Sequence, residues 1–198
     1  MSIAHYFTFL RLFIGPFFLF LYTYYESLNI SFTSASYLLL GLLMIAELSD
    51  AIDGYLARKL NQVTDFGKLF DPVADSIYRI SIFTVLILPP VQLPVSFVFI
   101  FLYRDFIINM LRTACALKGV ALSARLSGKL KAVFQGFSIF LITLLLVPYS
   151  TGKISQEALQ NFAYWLVAVV AFYTLFSGVD YLFTHWRYFQ SSFTSKKQ

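Results

Sequence analysis

The chain has 198 residues, of which 59% are hydrophobic and 13% are charged, and its formal net charge is +5. This composition excludes a disordered chain and argues against a soluble domain, because 23 Phe and 13 Tyr are too many large apolar side chains for one core. A disulfide scaffold is excluded as well, because Cys115 is the only cysteine. We therefore expect an all-α integral membrane protein that forms one domain over residues 1–198.

Six apolar segments are long enough to cross a hydrocarbon core of about 30 Å, and turn-forming residues separate them. The predicted helices are Phe7–Tyr25, Ser34–Leu48, Pro72–Leu88, Pro94–Leu111, Val133–Val147 and Leu159–Leu182. The second continues into Ala51–Ala57 and the fourth into Arg104–Lys118, so we expect both to project beyond the bilayer on one side.

Basic residues fall on one side of this path of six transmembrane helices. Lys153 is the only Lys or Arg in the connections around residues 26–33, 88–94 and 148–153. The positive-inside rule then places both termini in the cytoplasm. It places the connections near residues 58–70 and 116–131 there as well. We expect a protein of the cell inner (cytoplasmic) membrane whose positive charge meets anionic lipid headgroups, so that no nucleic acid is needed as a partner.

Acidic residues concentrate between the second and third predicted helices. Of the ten Asp and Glu in the chain, five are Asp50, Asp53, Asp65, Asp71 and Asp75. A helix that continues to residue 57 puts Asp50 and Asp53 on one face, where small residues leave room for a ligand. Asp71 and Asp75 share a face of the next helix, which Pro72 predicts to begin at Asp71, because proline fits a first helical turn.

Four of these carboxylates interrupt apolar helices, whereas Asp65 is expected at a solvated surface. Carboxylates gathered at a membrane edge repel one another unless protons or cations compensate their charge. Their hard oxygen atoms suit Mg²⁺, Mn²⁺ or Ca²⁺, and no Cys or His nearby favours zinc. Pairs of such ions promote displacement at phosphorus, which makes phosphoryl-type transfer the expected chemistry.

The residues from Asp50 to Asp75 match every fixed position of a known motif. The pattern Asp50-x-x-Asp53-Gly54-x-x-Ala57-Arg58, eight further residues and Gly67-x-x-x-Asp71-x-x-x-Asp75 resembles the complete signature of the CDP-alcohol phosphatidyltransferases. The resemblance implies a six-helix membrane enzyme whose active site faces the cytoplasm. It further implies two divalent cations, Mg²⁺ or Mn²⁺, bound by the four motif Asp residues, with Asp75 as catalytic base. The CDP-diacylglycerol donor would be framed by Gly54, Ala57, Arg58, Thr64 and Gly67.

Outside the motif, the chain resembles the branch of this family whose acceptor is glycerol 3-phosphate, the phosphatidylglycerophosphate synthases. The similar stretches are Thr8-x-x-Arg11 with Pro16, Arg104-Asp105, Leu111-Arg112, Gly128–Lys131 with Gln135, and Ser177–Tyr181. The acceptor phosphate would then be bound by Arg112, Lys129 and Lys131. For the two lysines, membrane topology and lipid anchoring explain the charge equally well. For Arg104 and Asp105, a structural ion pair is favoured.

Other functions remain open at this point. The same transfer would serve another alcohol, such as inositol phosphate or serine. A divalent-cation transporter would use the carboxylates as pathway ligands, but no comparable polar positions continue across the helices. A structural membrane protein would tolerate Asp-to-Asn changes throughout the cluster. A homodimer is a further expectation, alongside the lipid bilayer and the two substrates as partners.

Overall fold

The structure is a computed structural model that describes residues 3–59, 65–117, 119 and 125–194, with side chains described for residues 10–49, 70–117, 119 and 125–186. These residues form six α-helices and no strand. The helices are α1 (Ile3–Tyr24), α2 (Phe32–Lys59), α3 (Asp65–Val85), α4 (Val95–Leu117), α5 (Leu126–Ser150) and α6 (Gln156–Thr194). The all-helical class, the helix count in the described residues and the long extensions of α2 and α4 are confirmed.

The predicted start of α3 is wrong. The helix begins at Asp65 rather than Asp71, so Asp65 lies in its first turn and Pro72 lies in its interior. Pro16 and Pro148 also lie inside their helices. Proline removes one backbone hydrogen bond, but helices packed in a membrane protein tolerate it because neighbouring groups satisfy the released carbonyl. Pro72 therefore does not mark the start of a helix in this chain, although proline often occupies a first helical turn.

Contacts between helices define a bundle with α3 at its centre. α3 packs against α1, α4 and α5, while α2 lies between α1 and α5, and α6 lies between α4 and α5. Odd-numbered helices run in one direction and even-numbered helices in the other, because contacts such as that of Thr33 with Ser150 pair the start of one helix with the end of another. We call the end where α1, α3 and α5 begin the charged end, because Asp75, Asp105 and Lys131 lie in its half of the bundle. The other end is called the far end.

Polar contacts close the far end of the bundle. The Thr33 hydroxyl donates to the Ser150 carbonyl, and the Gln160 amide donates to the Pro90 carbonyl at 3.0 Å. α5 stops where Gly152 adopts a φ of 72°, a left-handed conformation that glycine adopts without steric cost. The predicted breaks near residues 26–33, 88–94 and 148–152 are confirmed in place, although α2 already begins at Phe32 and α5 continues through Pro148 to Ser150.

The outer surface of the bundle is strongly apolar. Phe172 and Phe183 of α6 are 77% and 78% exposed, and Phe106 of α4 is similarly open. Three helical segments within the described residues are long and apolar enough to cross a bilayer: Phe32–Ser49, Leu126–Ser150 and Gln156–Trp186. Exposed aromatic side chains on long apolar helices are typical of a membrane protein, because only lipid can cover them favourably.

Candidate active site

Asp75 meets a guanidinium in the half of the bundle nearest the charged end. Its carboxylate forms an ion pair with Arg11 of α1, which is almost completely buried, while the Asp75 side chain is 25% exposed. Asp71 lies one turn earlier on α3 and is half-buried, so both carboxylates lie on one helical face as predicted. The pairing links two helices through residues that are 64 positions apart in the chain.

A close approach of α1 to α3 lies one turn beyond Arg11 on α1 and between one and two turns beyond Asp75 on α3. A Cβ atom on Gly15 would lie 2.9 Å from the Cβ of Ser81, which is too short for any side chain larger than hydrogen. Glycine at position 15 therefore lets the two backbones come together. Because Gly15 follows Arg11 by one helical turn, this approach positions the guanidinium of Arg11 against α3.

A cavity of about 370 Å³ lies between α2, α3 and α5, and Asp75 lines it. Arg79 of α3 and Glu47 of α2 supply its other charged groups. The α5 wall is formed by Ala132, Val133, Gly136, Phe137 and Phe140. The cavity thus offers two carboxylates and one guanidinium against an otherwise apolar wall, an arrangement suited to a small polar ligand that arrives beside a lipid.

Sequence reasoning missed Glu47 and did not foresee that Arg11 would pair with Asp75. Glu47 carried a signal, because it is the only charged residue in the apolar segment Phe32–Ser49 and precedes Asp50 by one turn. The sequence contains no signal for the pair of Arg11 and Asp75, because its formation depends on how α1 packs on α3. Arg79 follows Asp75 by one helical turn on α3 and lines the same cavity.

The remaining motif residues lie largely outside the described side chains. Positions 50, 53, 54, 57 and 58 belong to the last turns of α2. The predicted continuation of this helix beyond residue 48 is therefore confirmed. The side chains of Asp50, Asp53, Ala57 and Arg58, and the surroundings of Gly54, lie outside the described residues, and so does Thr64 altogether. Gly67 lies in α3 one turn before Asp71.

Lys131, a predicted ligand of the acceptor phosphate, lies inside the bundle. Its ammonium donates to both carboxylate oxygens of Asp105, at 2.6 and 2.7 Å, and the two side chains are 3% and 2% exposed. Arg104 donates to the same carboxylate at 3.0 Å and to the Ser177 hydroxyl at 2.8 Å. The ion pair expected between Arg104 and Asp105 is present, and Lys131 and Ser177 extend it across α5 and α6.

Glycine residues make room for the Arg104 side chain. A Cβ on Gly178 would lie 3.0 Å from the Arg104 Cγ, and one on Gly128 would lie 3.6 Å from a guanidinium nitrogen. The Arg104 side chain therefore runs between α5 and α6 at positions where larger residues would press on it. Arg79 lies near enough to act electrostatically on both Lys131 and Asp105. Two cations thus contact one buried carboxylate, and a third acts on it electrostatically.

The other two predicted phosphate ligands lie elsewhere on the same half of the bundle. The Arg112 side chain donates to the Tyr181 hydroxyl at 3.2 Å, and its guanidinium carbon lies 5.1 Å from the centre of the Tyr181 ring. Lys129 is exposed in the first turn of α5. The three predicted ligands therefore have different surroundings. Lys131 is buried, Arg112 lies against the Tyr181 ring, and Lys129 is exposed.

The carboxylates of α3 fit a hard divalent cation. Asp71 and Asp75 supply oxygen donors one helical turn apart, which is the donor chemistry that Mg²⁺ and Mn²⁺ prefer. Among the side chains that the structure describes, no three His, Cys, Asp or Glu residues approach one another as metal ligands would. A complete ligand set would need carboxylates from α2, whose Asp50 and Asp53 lie outside those side chains.

Comparison with known proteins gives a consistent match. Residues 1–176 match the family described as CDP-alcohol phosphatidyltransferase. Three relatives are each named CDP-diacylglycerol–glycerol-3-phosphate 3-phosphatidyltransferase. The protein from Bacillus subtilis (strain 168) is 31% identical over 76% of this chain and 75% of its own. The protein from Rickettsia typhi is 32% identical over 71% of this chain and 75% of its own. The protein from Wigglesworthia glossinidia brevipalpis is 39% identical over 67% of this chain and 71% of its own.

Proposed function

Because the chain belongs to the CDP-alcohol phosphatidyltransferase family, we propose that it transfers the phosphatidyl group of CDP-diacylglycerol to glycerol 3-phosphate, giving phosphatidylglycerophosphate and CMP. The observation that carries the proposal is the complete motif from Asp50 to Asp75, whose last carboxylate lines a cavity beside Arg79. The choice of acceptor rests on the names of the three relatives. The same family membership favours this enzyme of phospholipid biosynthesis over a cation transporter or a purely structural protein.

The proposed reaction is a direct displacement. The acceptor hydroxyl oxygen forms a bond to the lipid-side phosphorus of the pyrophosphate, and the bond from that phosphorus to the oxygen of CMP breaks. Asp75 accepts the hydroxyl proton, and CMP leaves with the electron pair. Arg11 holds the Asp75 carboxylate in a fixed direction. Because the acceptor oxygen attacks the phosphorus directly, no covalent enzyme intermediate is required.

The four motif carboxylates, Asp50, Asp53, Asp71 and Asp75, would hold two divalent cations, Mg²⁺ or Mn²⁺. Bound there, these cations would neutralise charge on the pyrophosphate. The residues proposed to frame the CDP moiety are Gly54, Ala57, Arg58, Thr64 and Gly67. Among them, Arg58 would pair with a phosphate, and the glycines would let the ligand approach the helix backbone closely.

The acceptor phosphate is proposed to meet Arg112, Lys129 and Lys131. Arg112 and Lys129 would contact it directly, because Lys129 is exposed and Arg112 lies beside Tyr181. Lys131 would act from within the bundle, where Asp105 already compensates its charge. The positive potential of this region would draw a dianionic acceptor toward the charged end.

The proposed topology is a six-helix crossing of the cell inner membrane, with both termini and the active site on the cytoplasmic side. The alternating direction of the helices supports it, because one end of the bundle then collects the basic residues. A homodimer belongs to the same proposal, and crosslinking in the membrane would test it.

A CMP-release assay tests the proposed function. Purified protein would be mixed with CDP-diacylglycerol, Mg²⁺ or Mn²⁺, and one acceptor at a time: glycerol 3-phosphate, glycerol, serine or inositol phosphate. We expect release only with glycerol 3-phosphate and its loss in excess chelator, because clustered carboxylates need counter-charge near a bilayer. Full release in chelator, once a retained ion is excluded by elemental analysis, would contradict the cation requirement. Equal rates with serine or glycerol would contradict the acceptor.

A further inference from the structure

Glu47 lies in the cavity that Asp75 and Arg79 line, although the family motif does not include it. It lies on α2, and a Cβ on Gly136 of α5 would lie 3.6 Å from one of its carboxylate oxygens. Glu47 therefore lies close to Gly136 on the α5 wall, where a Cβ would make ordinary van der Waals contact with the carboxylate. Glu47 thus faces the cavity from the wall opposite α3.

A carboxylate is unusual at this position of an apolar helix. Glu47 is the single charged residue of the apolar segment Phe32–Ser49, and ionisable residues in such segments generally mark functional positions. Glu47, Arg79 and Asp75 line the same cavity, so these groups share one electrostatic environment. Glu47 is exposed and lines the cavity, so its carboxylate is accessible to a ligand there.

The charge of Glu47 decides which part of an acceptor it would meet. A carboxylate accepts hydrogen bonds from hydroxyl groups and repels a phosphate. Glycerol 3-phosphate carries a phosphate and two hydroxyl groups. Once Asp75 takes the proton of the attacking hydroxyl, the second hydroxyl is left without a partner in the proposed reaction. Glu47 is the other carboxylate on the cavity wall that would accept its hydrogen bond.

We propose that Glu47 is a specificity-determining residue that accepts a hydrogen bond from the second, non-attacking hydroxyl of the acceptor. This inference rests on the proposed function and deepens it, because it explains selection of a phosphorylated diol over a phosphorylated mono-alcohol. Glu47 and Asp75 together bind the diol, while basic residues bind the phosphate. The same repulsion between carboxylate and phosphate fixes the direction in which the acceptor enters.

The test compares glycerol 3-phosphate with 3-hydroxypropyl phosphate, which keeps the primary hydroxyl and the phosphate but lacks the second hydroxyl. The ratio of the two kcat/KM values is measured by CMP release for the parent enzyme, Glu47→Ala and Glu47→Gln. We expect the parent to prefer glycerol 3-phosphate by about tenfold or more, as a hydrogen bond to a charged group would give. The ratio should fall to within about threefold in Glu47→Ala and to an intermediate value in Glu47→Gln, whose amide oxygen still accepts.

Glu26→Ala is the matched control, because Glu26 is an exposed glutamate in the connection at the far end. It should keep the parent ratio. An equal loss of kcat/KM for both acceptors in Glu47→Ala would overturn the inference, since a merely structural residue would affect them alike. A parent that does not distinguish the two acceptors would also overturn it while leaving the proposed function intact. A parent that is active only with other alcohols would overturn the proposed function, and this inference with it.

Discussion

Arg11 gives Asp75 a fixed direction in the candidate site. The guanidinium comes from α1 and is almost fully buried, whereas Asp75 keeps a quarter of its side chain open to the cavity. One part of the carboxylate is therefore held by the protein while another part faces a ligand. Such an arrangement suits a proton acceptor, because catalysis by a carboxylate depends on holding it within reach of the hydroxyl.

Replacing Asp75 by Asn tests this role. The substitution keeps the shape of the side chain but removes the proton acceptor and the charge that pairs with Arg11. We expect turnover, measured as CMP release at saturating substrates, to fall at least about 100-fold. Glu157→Gln, an amide substitution at an exposed residue of the far end, should leave turnover within about twofold of the parent. Near-normal turnover in a folded Asp75→Asn variant would assign the base to another residue.

Three helices are tied together by one buried carboxylate. Asp105 of α4 receives hydrogen bonds from Lys131 of α5 and from Arg104, whose guanidinium also reaches Ser177 of α6. Charges buried this deeply are stable only as a set, because removing one partner leaves another charge without compensation. The network therefore holds the part of α5 that forms the cavity wall against α4 and α6.

Removing the carboxylate should destabilise the bundle more than removing one of its cations. We expect Asp105→Ala to lower the free energy of unfolding by about 3–5 kcal/mol, because two buried cations lose their partner. Lys131→Met should cost less, since Arg104 still pairs with Asp105. Denaturant titration in detergent micelles would measure both. A loss below about 1 kcal/mol in Asp105→Ala would show that the network adds little to stability.

The sequence predicted the helices better than their contacts. Apolar runs and turn formers placed all six helices, because both signals are local. The start of α3 was missed, since Pro72 looks like a helix start in isolation while its tolerance inside α3 depends on the surrounding bundle. The pair of Arg11 with Asp75 and the burial of Lys131 were beyond reach, because both depend on which faces of distant helices meet.

The whole molecule separates charge from apolar surface along one axis. The half nearest the charged end contains the ion pairs of Asp75 and Asp105 and the exposed Lys129. The far end is closed by hydrogen bonds between neutral groups, and Lys153 is the basic residue of its connections. A water-soluble acceptor and a lipid donor can meet only near one membrane surface, so the charged end is the expected cytoplasmic face.

Cysteine accessibility tests this orientation. In a Cys115→Ala background, which removes the single buried thiol, Lys153→Cys and Lys129→Cys each introduce one exposed cysteine at opposite ends of the bundle. A membrane-impermeant thiol reagent should label Lys153→Cys in intact cells, or in spheroplasts where an outer membrane is present. It should label Lys129→Cys only after the inner membrane is permeabilised, because the positive-inside rule keeps the basic end in the cytoplasm. The Cys115→Ala parent supplies the background signal in both conditions. Labelling of Lys129→Cys from outside, with Lys153→Cys protected, would invert the bundle in the membrane and place the candidate site on the wrong side for a cytoplasmic acceptor.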